Sequence, residues 1–185
     1  MGDPRPNHGS DSRPRRRVLD DILPGNATRR EHARAALRVL DGLDGVEFGE
    51  ARRWAEAHLP PEEPGVLVHG DLLGQNILLD PGGPPAVIDW EFAQWGDPAY
   101  DFAIVSRGAR RPFQVERGLE ELLEAYGRHG GSGVTLEHVR LHELCLVAGW
   151  YRDALAGRSP HVPNEEPARL RGLLRRIGHR AASAG

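Results

Sequence analysis

The sequence predicts an α+β domain that is mostly helical, with one small β cluster set between two helical stretches. Three observations predict it. Apolar residues recur at helical spacing early and late in the chain. Between them, in "VLVHGDLLGQNILLDPGGPPAVIDWEF" (residues 66–92), three short apolar runs are separated by polar and turn-forming residues. Hydrophobic residues make up 39% of the 185, enough for one core in one domain.

Residues 1–25 are rich in Pro, Gly, Ser and Arg and show no period, which reads as a disordered or loosely attached arm before a domain over 26–185. Thr28 with Glu31 three residues later is a capping-box pattern. Ala33, Ala36, Leu37, Leu40 and Leu43 follow at helical spacing, and Gly42 and Gly45 end that helix. A second helix is expected from about Phe48 to Leu59, burying Ala51, Trp54 and Ala55 and stopping at Pro60-Pro61. "VLV", "NILL" and "PAVID" are the expected strands, and "DPGGPP" is a turn by composition. Helices are then expected over about Pro112–Arg128, Thr135–Ala156 and Pro167–Arg180. There is no internal repeat.

Charge and composition narrow the function classes. The net charge is -3, so nothing drives the chain as a whole toward nucleic acid or a membrane. The basic "RPRRR" cluster reads as part of a solvated tail. No apolar run approaches the roughly 20 residues needed to span a bilayer, and the N-terminus lacks the apolar segment of a signal peptide. A lone Cys145 excludes an internal disulfide framework and suits a cytoplasmic protein. All 24 basic residues are Arg, so any step that needs a lysine cannot be done by this chain alone.

The chemistry concentrates in residues 66–92. Asp71 is followed by four residues and then Asn76, and Asp89 closes the next strand. Phosphoryl transfer needs oxygen ligands for a metal that bridges phosphates, and a base to orient the acceptor hydroxyl. Two carboxylates and one amide at neighbouring strand ends supply that set. A single Asp or Asn at a strand end more often caps a turn; all three at this spacing favour the functional reading.

"HGDLLGQN" followed by "IDWE" resembles the catalytic loop and metal-binding segment of the aminoglycoside phosphotransferase and choline kinase family, small-molecule kinases of protein-kinase-like fold. "GDPAYDFA" (96–103) resembles the segment that follows in that family. The resemblance implies a C-terminal lobe whose β cluster carries the catalytic and metal-binding loops, using ATP and Mg²⁺ to phosphorylate a hydroxyl of a small molecule. It implies Asp71 as catalytic base, Asn76 and Asp89 as metal ligands, and His69 and Asp101 as supports of the loop. Glu91 would lie near metal or substrate. The resemblance covers about residues 28–180 and matches the C-terminal lobe only. The β-rich N-terminal lobe, with its loop over the phosphates and its lysine, is expected to be absent, since only 65 residues precede Val66. Three accounts stay open: a reading frame whose start lies upstream, half of a split kinase completed by a separate N-lobe chain, or a silent, pseudokinase-like binding module. The first two leave an enzyme that is weak or inactive as the isolated chain.

Other candidates carry less. His138 and His142 are four apart on an expected helix but lack the H-E-x-x-H order. Cys145 reads as a buried small hydrophobe, and Tyr100 and Phe102 as core aromatics. Glu116, Glu120, Glu121 and Glu165 would suit a cationic acceptor, yet read more simply as solvated helix faces.

Overall fold

In the computed structural model the described residues are 25, 27–107, 117–158, 172, 173 and 175. Residues 1–24 of the expected arm, residues 112–116 of one expected helix, Glu165 and most of the last expected helix therefore lie outside them.

Helix α1 (Arg29–Leu37) begins where the sequence places it. Thr28 Oγ1 accepts the Glu31 N–H at 3.1 Å, and the Glu31 carboxylate accepts the Thr28 N–H at 2.8 Å. A 3-10 turn, Arg38–Leu40, continues it. Helix α2 covers Val46–Ala57. Ala33, Ala51 and Ala55 are buried in one core with Leu37, Leu40, Leu141, Leu144, Cys145 and Leu173, which these helices share with α5 (Leu136–Leu155). A second, smaller core joins α3 (Ala99–Arg107), α4 (Gly118–Arg128) and α5 through Ala99, Ala103, Leu119 and Val139.

The β structure is two antiparallel pairs. β1 (Val66–Val68) pairs with β4 (Gln94–Gly96), Val66 opposite Gly96. β2 (Ile77–Leu78) pairs with β3 (Ala86–Val87), Ile77 opposite Val87. β1 thus finds its partner in a strand outside the three expected runs, while the other two runs form a hairpin around the Pro/Gly turn. The domain is mostly helical with small sheets, and among the described residues no helix is long and apolar enough to cross a membrane.

Candidate active site

β1 delivers the chain into the loop His69–Asn76, and the loop is braced from three sides. From α3, the Asp101 carboxylate accepts two backbone N–H groups, His69 at 2.7 Å and Gly70 at 2.9 Å. Burial raises the Asp101 pKa above the usual carboxylate value, against the lowering effect of those two bonds. Within the loop, His69 Nδ1 accepts the Asp71 N–H at 3.2 Å, so Nε2 is the nitrogen that donates to the Ile88 carbonyl at 2.8 Å. At the loop's far end, buried Asn76 gives its amide hydrogens to the Asp71 carbonyl (2.8 Å) and carboxylate Oδ2 (3.2 Å).

Ile88 joins this loop to Asp89. Its N–H donates to the Asn76 carbonyl at 3.0 Å and its carbonyl receives His69. Asp89 follows at φ 66°, the one non-glycine residue with positive φ among those described. Such backbone persists only where neighbours fix it. Here they are the two Ile88 bonds and the Trp90 indole, which donates to the Val87 carbonyl at 2.9 Å. The structure therefore brings His69, Asp71, Asn76 and Asp101 into one hydrogen-bonded set, with Asp89 attached to it through the backbone of Ile88. Glu91 stands apart, exposed in the turn beyond Trp90.

The donors present fit a hard divalent cation. Asn76 Oδ1 and the exposed Asp89 carboxylate have no hydrogen-bond partner among the described residues, and an amide and a carboxylate oxygen are what Mg²⁺ accepts. Those residues contain no group of three or more His, Cys, Asp or Glu that could hold a metal. A cation here would take its other oxygens from water or a phosphate.

A cavity of about 440 Å³ opens on Asp71, lined also by Gly70, Leu73, Phe92, Tyr100, Ile104, Leu146 and Trp150. Tyr100, expected in the core, packs edge-on against His32 and His142 and also lines this cavity. Its position in the first turn of α3 was the signal: it is next to Asp101. Glu120 and Glu121 do not line the cavity. Nor do His138 and His142 form a pair: His138 closes the α5 capping box with Thr135, whereas His142 is buried against Asp97. Cys145 is buried and its thiol is pushed up to about 12 by that burial, so it is not a nucleophile.

The profile of the phosphotransferase enzyme family (APH) matches residues 5–143. Over 73 residues, 37% of this chain, the sequence is 40% identical to mouse (Mus musculus) acyl-CoA dehydrogenase family member 10, covering 7% of that protein. Among solved structures, choline kinase LicA from Streptococcus pneumoniae superposes with a TM-score of 0.55 at 16% identity, covering 85% of this chain and 57% of that one. LicA in complex with AMP gives 0.54, also at 16% identity, covering 85% of this chain and 56% of that one. These likenesses show a kinase-like fold, and this chain spans little more than half the length of LicA.

Proposed function

The chain belongs to the phosphotransferase enzyme family, and on that premise we propose that it is the acceptor-side, C-terminal lobe of an ATP-dependent kinase that phosphorylates a hydroxyl of a small molecule. The observation that supports this reading is the Ile88 tie: one residue bonded to both His69 and Asn76 joins the backbone just before Asp89 to the Asp71 loop.

Asp71 is the base. Asn76 holds its Oδ2, and Oδ1, without a partner among the described residues, is left for the acceptor hydroxyl. Taking that proton as the new O–P bond forms and the bond from the γ-phosphorus to the departing ADP breaks is the one covalent task left to protein in phosphoryl transfer; the remainder is positioning and charge. Asp89 and Asn76 Oδ1 would hold Mg²⁺, which supplies charge neutralisation on the phosphates. Leu78 and Ile88 are large apolar side chains left exposed on the hairpin beside Asp89. They offer one apolar wall for the adenine. The chain has no lysine for the phosphates, which favours a second lobe supplied from elsewhere. Among the described residues, the Asp71 cavity is walled by aromatic and aliphatic side chains, with no carboxylate besides Asp71. That suits an acceptor with an apolar or quaternary-ammonium flank better than a polyamine.

The test is a Mn²⁺ titration read by water proton relaxation on the whole chain. Wild type should bind weakly, Asp89→Ala should not bind, and Asp71→Ala should bind nearly as wild type. Equal binding by wild type and Asp89→Ala overturns the assignment. With a nucleotide lobe from a relative supplied, Asp71→Asn should lower transfer by roughly 10²–10⁴. Unchanged turnover in that variant would remove the base role from Asp71, and no transfer by wild type with the lobe supplied would leave a binding module as the better account.

A further inference from the structure

One buried polar cluster has no part in the chemistry above. Asp97 is fully buried at the end of β4. Its Oδ1 accepts from Arg29 Nε at 2.9 Å and its Oδ2 from His142 Nε2 at 3.0 Å. Its N–H donates to His32 Nδ1 at 3.2 Å, and its carbonyl accepts the Tyr100 N–H at 3.0 Å. Arg29, also buried, donates further to Glu63 and to the Gly133 carbonyl. Burial alone would raise the Asp97 pKa; the His142 bond and the Arg29 charge outweigh it, and the carboxyl titrates below the usual range.

A buried ion pair is poor evidence for stability, because apolar residues of similar shape often serve as well. Its better-attested use is to fix register. Here the position is informative. α3 begins two residues after Asp97, and Asp101, in its first turn, holds the His69 and Gly70 N–H groups. β4 ends one residue before Asp97, and its partner β1 runs straight into His69. Both supports of the loop therefore meet at Asp97.

We propose that the Asp97–Arg29–His142 cluster is the positioning device of the Asp71 loop: it clamps the start of α3 between α1 and α5 so that the Asp101 carboxylate meets the His69 and Gly70 amides. The three are positioning residues, since none is placed to touch substrate. This rests on reading the Asp71 loop as a phosphotransfer site, but the geometric claim needs no turnover.

His142 gives a clean variant. Its Nδ1 is buried without a partner, so a phenyl ring removes one hydrogen bond and little else. The experiment is amide hydrogen exchange by NMR on the whole chain, as wild type, His142→Phe and Asp97→Asn. In the variants, protection of the His69 and Gly70 amides should fall by roughly tenfold or more, while amides inside α2 and α4 keep theirs. A loop as protected as in wild type, or a loss shared equally by α2 and α4, overturns the proposal. If Asp97→Asn does not fold, His142→Phe decides. Wild type gives a second measurement: in mild denaturant the His69, Gly70 and Tyr100 amides must open together, and separate opening overturns it. An unchanged loop with Mn²⁺ binding intact would remove the cluster's role and leave the site. A loosened loop with no role for Asp89 in Mn²⁺ binding would do the reverse.

Discussion

Gly70 sits at φ 84°, and a methyl group there would lie 2.3 Å from the Phe92 carbonyl oxygen and 2.8 Å from the Phe92 Cβ. Those atoms are backbone or next to it, so relief requires the loop or the Phe92 turn to move. Gly70→Ala should therefore lose roughly 2–4 kcal/mol, the left-handed backbone adding to the clash. Urea unfolding should show it as a lower midpoint at unchanged slope; a loss below about 0.5 kcal/mol would mean the loop is looser than it looks. The candidate site residues could be picked out of the sequence because the proposed chemistry requires a type and a spacing: a base, an amide and a carboxylate, on strand ends. Asp97 was not, although it stood in the quoted "GDPAYDFA". Its partners come from Arg29 and His142, 68 and 45 residues away, and no local pattern announces a long-range buried pair.

At the scale of elements, the helices with strong punctuation were readable. Thr28 and Thr135 both cap as their positions suggest, and both act through capping boxes. Two elements were not read from periodicity. "QWG" is too short to alternate, so β4 shows itself only by pairing with β1. α3 is apolar at Phe102, Ala103, Ile104 and Val105 in succession, which hides a helical period. The Asp97-Pro98 pair was its real signal, a capping residue followed by the proline that suits a first turn. The tie from α3 to the loop is testable as a unit. Asp101→Ala leaves two backbone N–H groups without their acceptor, next to a buried histidine. Stability should fall by about 2–4 kcal/mol, and Asp101→Asn, which keeps one acceptor oxygen, should fall in between. Thermal unfolding of the three proteins checks the order; an Asn variant as weak as Ala would show that the charge, not the acceptor geometry, is what the loop needs.

At the scale of the molecule, two helical cores among the described residues share α5, and the buried ionisable groups beside them should set the response to acid. His32 packs against His142 and accepts the Asp97 N–H. Burial, then the nearby His142, lower its pKa from 6.5 to about 4, against the pull of Asp97. Burial also lowers His138. Between pH 6.5 and 4 the unfolded chain therefore binds a proton at His32 that the folded one refuses, so stability rises with pH across that window and falls as pH drops through it. Two and a half pH units at 1.36 kcal/mol each put the His32 share at no more than about 3 kcal/mol. Below the ordinary carboxylate range the depressed Asp97 adds its own loss as it is protonated. Asp101, raised by burial, acts the other way just above 3.8, since its folded form prefers the proton. The sum should be a protein that weakens from about pH 6.5 downward, well before its carboxylates titrate. His32→Asn keeps an acceptor near the Nδ1 position and removes the titration. Its urea midpoint should change much less between pH 6.5 and 4.5 than that of wild type. Parallel pH dependence in the two proteins would place the acid sensitivity elsewhere, with His138 the next group to replace.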